Sequence, residues 1–256
     1  MKFNLGLGLV MVMLWGLASA QRLAAIGDWG AESAHRSQIA ASMRAAHAAK
    51  PFEALLTLGD NFYPSGQPVQ RYVDELPKVR IYPVFGNHDV PALEAQFRLF
   101  GVDRTYYTVR LGNLEIFVLY SEHFDPTQKR WLEEALAAST APWKVVALHR
   151  PLYSSGMHGG SRSLRQALEP LLSQYKVRLV LSGHDHDYER SAVRGITYIV
   201  SGGGGASLRG FKRIHAHSQV HQETPNYLGL EATPTQLTVT AYNEANLPID
   251  QVVLKN

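Results

Sequence analysis

The sequence predicts an α/β fold of two packed, mixed β-sheets flanked by helices, and three observations carry that reading. Short apolar runs alternate with helix-period stretches over the first part of the chain, the rhythm of a parallel sheet covered by helices. Strand-like runs return in the middle and dominate the tail, which calls for a second, mixed sheet packed on the first. Five runs end in Asp, Asn or His. These ends are Gly27-Asp28-Trp29-Gly30, Gly59-Asp60-Asn61-Phe62-Tyr63, Gly86-Asn87-His88-Asp89, Ala147-Leu148-His149 and Gly183-His184-Asp185-His186. Ligands of open α/β sheets sit beyond the carboxyl ends of the strands. The clusters are therefore expected along one edge of a sheet, around a pocket for hard cations.

Each element follows from local pattern. Leu23–Ile26 is a strand, and residues 34–49 repeat Ile39, Met43 and Ala46 at helical spacing. Ala54–Leu58 is the second strand. A short helix over 68–76 follows, then a strand over Ile81–Phe85. Tyr106–Arg110 and Leu114–Tyr120 flank Leu111-Gly112-Asn113 as a hairpin. Asp125-Pro126 opens a helix, with Asp as N-cap and Pro in the first turn. Gln128, Trp131 and Leu132 are read as its packing face. Trp143–Leu148 is a strand, 161–173 a helix, and Val177–Leu181 a strand. The tail strands are Ile196–Ser201, Tyr227–Glu231, Leu237–Tyr242 and Val252–Leu254.

Residues 1–20 read as a secretory signal peptide. Lys2 supplies the positive start, Leu5–Leu17 the apolar stretch and Ala18-Ser19-Ala20 the cleavage site. The expectation is a secreted or periplasmic protein beginning at Gln21, with no membrane attachment after cleavage and 21–256 as one catalytic domain. The chain contains no cysteine, so disulfides cannot staple it. Formal charge is +3, with Arg162, Arg165, Lys176 and Arg178 scattered and no aromatic platform beside them. A nucleic-acid partner is not expected, while a mild positive field suits small anionic substrates.

The donor types fix the chemistry of the pocket. Carboxylates and neutral imidazoles suit Zn, Mn and Fe. Two adjacent cations need a shared carboxylate to hold them ~3.5–4 Å apart. Asp60 is the best candidate for that bridge, and His184 and His186, two residues apart, can serve different ions.

Asp28, Gly59-Asp60, Gly86-Asn87-His88-Asp89, His149 and Gly183-His184-Asp185-His186 together resemble the calcineurin-like metallophosphoesterase superfamily, and within it the purple acid phosphatases. A paired swap marks the likeness. Most members carry His where this chain has Gly30, and here Tyr63 follows Asp60 by three residues. The first two clusters resemble the small tartrate-resistant type, and His184–Arg190 the plant and bacterial forms. The resemblance implies a four-layer α/β/β/α sandwich and a binuclear centre. Asp28, Asp60, Tyr63 and His186 would bind Fe(III), while Asp60, Asn87, His149 and His184 would bind a divalent Fe, Zn or Mn. It implies hydrolysis of a small phosphomonoester by a metal-activated hydroxide. His88 or His158 would protonate the leaving group. Asp89, next in sequence, is read as the residue that orients His88 or as a local turn cap. A phosphodiesterase or nucleotide pyrophosphatase on the same site is the alternative enzyme, and a phosphate-ester or metal binder without turnover the alternative class.

Other features could mislead. Ser201–Ala206 is glycine-rich but lacks the Gly-Lys-Ser/Thr ending of a P-loop, and is expected to pass close to the metals. His215, His217 and His221 are expected on a rim loop, outside the ligand set. Arg150 and Arg190 adjoin ligand positions and are read as contacts to phosphate or as structural ion pairs.

Overall fold

A computed structural model describes residues 20–256. The signal-peptide reading, apart from Ala20, lies outside them. In chain order the elements are β1 (Gln21–Ile26), α1 (Ala34–Ala49), β2 (Ala54–Thr57), α2 (Gln70–Glu75), β3 (Arg80–Tyr82) and α3 (Leu93–Phe100). The hairpin β4 (Tyr107–Leu111) and β5 (Leu114–Val118) follows, then α4 (Pro126–Ala138), β6 (Trp143–Ala147) and α5 (Arg162–Gln174). The chain closes with β7 (Leu179–Ser182), β8 (Tyr188–Val193), β9 (Ile196–Ser201), β10 (Ser218–Gln222), β11 (Tyr227–Ala232), β12 (Gln236–Tyr242) and β13 (Pro248–Lys255). No described helix is long and apolar enough to cross a membrane.

Two mixed sheets form, in the orders β13-β12-β11-β1-β2-β3 and β10-β8-β9-β7-β6-β5-β4. Side-chain alternation sorts the layers. Leu23 and Ala25 of β1 point into the core between the sheets, while Ala24 and Ile26 face α1 and its neighbours. Val145 and Ala147 of β6 point into the same central core, while Val146 and Leu148 face α4 and α5. Three apolar layers thus separate helix, sheet, sheet and helix. Side-chain caps start the helices as expected of Ser and Asp: Ser33 accepts from Arg36 N, Asp125 from Gln128 N and Ser161 from Leu164 N.

The structure corrects the expected layout in three ways. The donor clusters do not end one sheet. β1, β2 and the segment after β3 carry the first three, whereas β6 and β7 carry His149 and His184 in the other sheet. Nor do all the tail strands join the second sheet. β11 pairs antiparallel with β1 and extends the first sheet through β12 and β13. The strand expected over Ile81–Phe85 stops at Tyr82, because Pro83 has no N–H to continue the ladder.

Candidate metal centre

Both sheets end their parallel strands at the same rim, and the backbone locks the rim together. Asp28 N donates to Gly59 O at 3.0 Å, joining the ends of β1 and β2. Gly183 N donates to His149 O at 3.1 Å, joining the ends of β7 and β6. His184 N donates to Asp28 Oδ2 at 2.8 Å, tying one sheet to the other. Sharp turns make this possible. Asp28, Asp60 and His184 take positive φ values of 54°, 51° and 74°, a region costly for non-glycine residues and frequented at functional sites. Gly59 lies at φ 91°, and a Cβ there would stand 2.3 Å from His149 Nδ1.

The turned side chains converge. Tyr63 Oη lies 3.0 Å from Asp28 Oδ1, 2.9 Å from Asp60 Oδ2 and 3.2 Å from His186 Nε2. His186 Nε2 is 3.5 Å from Asp28 Oδ1. On the other side, His149 Nε2 lies 3.4 Å from Asp60 Oδ1, 3.2 Å from Asn87 Oδ1 and 3.2 Å from His184 Nδ1. Asp60 therefore presents one oxygen to each group. Asp28, Asp60 and His149, all buried, are close enough to share an ion.

The imidazoles are aimed by their far nitrogens, as ligating histidines usually are. His149 Nδ1 meets Leu58 O at 2.9 Å and His186 Nδ1 meets Ser207 O at 2.8 Å, leaving each Nε2 for the centre. Electrostatics match a cation site. Burial opposes ionisation of Asp60, but His149, the backbone N–H of His88 and the His88 charge together hold its carboxyl below the usual range. Burial, Asp28 and Asp60 push the Tyr63 phenol up, so its proton stays on while only carboxylates face it. Burial and the charges of His149 and Arg150 bring His184 down to about 2, which keeps it neutral. Such a set of two carboxylates, a phenol, an amide and three imidazoles fits two cations of the N/O-preferring kind.

The remaining sequence expectations divide. His88 lies on the rim, its ring 4.4 Å from that of Tyr63 and its Nε2 3.9 Å from Asp60 Oδ2. Asp89 does not orient it. The buried Asp89 carboxylate instead accepts from Asn61 N at 2.9 Å, Asn61 Nδ2 at 3.2 Å, Gly86 N at 2.8 Å and Gln96 Nε2 at 2.8 Å. It braces the loops bearing Asp60 and Asn87, and Pro64 O at 2.6 Å holds His88 Nδ1. His158 is exposed but its ring lies 4.4 Å from that of His184, and its Nε2 contacts Arg209 Nη1. The glycine-rich segment passes beside the site as expected, with Gly204 N on Gly27 O at 3.0 Å and Ala206 N on Asp28 O at 2.8 Å.

His221 lies on strand β10, not on a loop, and His215 Nε2 lies 3.4 Å from Glu189 Oε1. Arg190 is structural, paired with Asp250 at 2.5 Å. Gln128 does more than pack. Its Oε1 accepts from Tyr120 N and its Nε2 donates to Tyr120 O and His123 O. Sequence reading quotes Asn61 in the second cluster but gives it no role, and it misses Gln96 and Arg209. Asn61 and Gln96 lie near the motifs, but their roles are in the interior hydrogen bonding, which spacing does not reveal.

Residues 21–188 match the family described as calcineurin-like phosphoesterase. The chain is 30% identical to tartrate-resistant acid phosphatase type 5 of Oryctolagus cuniculus, over 90% of this chain and 89% of that one. It is 29% identical to purple acid phosphatase 3 of Arabidopsis thaliana, over 72% and 63%. Among solved structures, a purple acid phosphatase from yellow lupin (Lupinus luteus) seeds superposes with a TM-score of 0.82 at 21% identity, covering 93% of this chain and 54% of that one. GAP50, an anchor in the inner membrane complex of Plasmodium, gives 0.83 at 18% identity, covering 93% and 89%. The fold, the converging donors and the matched residues agree: this chain belongs to the calcineurin-like phosphoesterases and is related to the tartrate-resistant and purple acid phosphatases.

Proposed function

We propose that this protein is an exported acid phosphatase that hydrolyses small phosphomonoesters at a binuclear centre. One observation carries the reading. The two oxygens of Asp60 face two separate donor groups, Asp28, Tyr63 and His186 on one side and Asn87, His149 and His184 on the other. The first group, with its phenol and two carboxylates, suits Fe(III); the second, with a neutral amide, suits divalent Fe, Zn or Mn. When bound, two such cations supply an activated water and neutralise charge on the phosphoryl oxygens.

The chain's own residues do the rest. His149 and His186 are held in register by Leu58 O and Ser207 O, and Asp89 fixes the turns that carry Asp60 and Asn87. His88 donates a hydrogen bond from Nδ1–H to Pro64 O and keeps Nε2 toward the rim. As imidazolium it can protonate the departing alkoxide from Nε2. His158 is a poorer donor, because its Nε2 already faces the Arg209 guanidinium, and burial is the first cause lowering its pKa.

The test compares nitrophenyl phosphate with bis-nitrophenyl phosphate, with and without chelator. Chelator-sensitive hydrolysis of the monoester alone supports the proposal. Preference for the diester favours a phosphodiesterase. Hydrolysis of neither by metal-loaded protein favours a binder. Tyr63→Phe tests the iron assignment, since a phenolate-to-iron visible band should vanish with the hydroxyl. His88→Ala should lose more turnover on poor leaving groups than on nitrophenyl phosphate, and equal losses would remove it as proton donor. Export is checked by the N-terminus of the released protein, expected at Gln21.

A further inference from the structure

The segment that carries His184 and His186 also holds a loop from elsewhere in the chain. Residues 148–161 join β6 to α5 without a helix or strand, and a connection of that kind is mobile unless it is tied down. This one wraps around the carboxylate of Asp185, the residue between the two histidines. Asp185 Oδ1 accepts from His158 N at 2.7 Å, and Oδ2 accepts from Gly159 N at 3.1 Å and Ser154 Oγ at 2.5 Å. Ser154 Oγ in turn accepts from Gly156 N at 3.0 Å.

Carboxylate and loop depend on each other. Asp185 is fully buried, and among the described residues its carboxylate forms no ion pair and bonds neither neighbouring imidazole. A buried carboxylate is tolerable only with such donors, and hydrogen bonds to it are strong because it is charged. Gly159 takes φ 75°, the turn that brings its N–H and that of His158 to one anion. The packing is close, since a Cβ at Gly156 would stand 2.5 Å from Asp185 Cγ. Glu189 adds a second clamp, accepting from Ser155 N at 2.6 Å and Ser155 Oγ at 2.7 Å.

The held loop has two faces. Ser154, Ser155 and Gly156 are buried, whereas Met157 and His158 are exposed. The His158 ring lies 4.4 Å from that of His184, tilted by 31°. Asp185 grips the backbone N–H of His158, so the grip survives loss of the imidazole, and the two residues can be tested separately.

We propose that Asp185 is a positioning residue: from between the two histidines, its carboxylate fixes the Ser154–Gly159 loop so that His158 meets the substrate at a set place over His184. The inference rests on the phosphatase reading for its effect on turnover but not for the placement of the loop.

The experiment combines amide hydrogen exchange, followed by NMR in zinc-loaded protein, with turnover of nitrophenyl phosphate and metal analysis. In the wild type the His158 and Gly159 amides should be protected. Asp185→Ala should speed their exchange about tenfold or more, the scale of one lost charge-assisted hydrogen bond, while the metal content stays that of the wild type. Asp185→Asn keeps one carbonyl oxygen for these donors and should fall between the two. Asp185→Ala should lower kcat by the same factor as His158→Ala, and in a His158→Ala background it should cost less than about twofold more, because the two changes remove one contribution. Gly156→Ala leaves the carboxylate intact but crowds the loop off it, and should reproduce both the faster exchange and the lower kcat. It also decides the matter if Asp185→Ala does not fold.

Unchanged exchange in the Asp185 variants would overturn the proposal. Loss of bound metal would overturn it too, by showing that Asp185 supports the ligands and not the loop. Additive losses in the double variant, or full turnover in His158→Ala, would remove the link between Asp185 and His158 in the reaction. A wild type that hydrolyses neither nitrophenyl nor bis-nitrophenyl phosphate would defeat the phosphatase reading, and the exchange pattern would still decide whether Asp185 places the loop.

Discussion

The body of the sandwich and its carboxyl-end rim are built on opposite terms. In the body, strands alternate strictly and polar groups are matched locally. Leu23, Leu56, Ile116 and Leu181 meet in the central core, and Arg190 is matched by Asp250, which also accepts from Tyr188 Oη. At the rim, Asp28, Asp60 and His184 adopt left-handed backbone, and two carboxylates crowd one phenol. The body supplies stability by burial, and the rim holds strain and like charge that a bound cation would offset.

The largest expected effect falls on the rim. Asp60→Asn should lower turnover by at least about 10³-fold, the scale of losing a group that organises transition-state charge. It should also remove the thermal stabilisation that added metal gives the wild type, because linkage requires binding to the native state. In the body the pattern reverses. Leu181→Ala should cost about 2–5 kcal/mol in denaturant unfolding while turnover per folded molecule stays near wild type. A large loss of turnover with little loss of stability there would break the distinction.

Asp89→Asn sharpens the border between the two regions. The carboxylate serves four N–H donors, and an amide would turn an NH₂ toward some of them. Metal affinity should fall about 10–100-fold, as for other residues that hold ligands in place. The smallest effect is expected at Asp250. Burial opposes its ionisation, but hydrogen bonds from Arg190 and Tyr188 and the Arg190 charge hold its carboxyl below the usual range. A depressed folded pKa gives stability that is present above the unfolded value, near 4, and lost as pH falls through the folded value. Asp250→Asn should therefore cost about 1 kcal/mol at neutral pH, with the difference from wild type shrinking in urea titrations below about pH 4.

Legibility followed the same division. The strand ends were readable because apolar runs stop abruptly at Asp, Asn or His, and those residues do converge. Which sheet each strand joins was not readable. β11 pairs with β1 from some two hundred residues away, and alternation gives a strand's faces, not its neighbour. β10 escaped notice because Ser218–Gln222 has no buried apolar face; its pairing with β8 makes it a strand. α3 was missed although a signal existed, since Gly101 ends it in the left-handed conformation common at helix C-termini. Asp89 was assigned to its sequence neighbour His88, whereas the fold brought it Asn61 and Gln96.

In the proposed centre Asp60 joins two cations, and metal content after dialysis against metal-free buffer reads this out. Wild-type protein loaded with iron and zinc should retain two ions per chain, and Asp60→Asn should retain one or none. Two tightly held ions in the variant, or a single ion in the wild type, would contradict it.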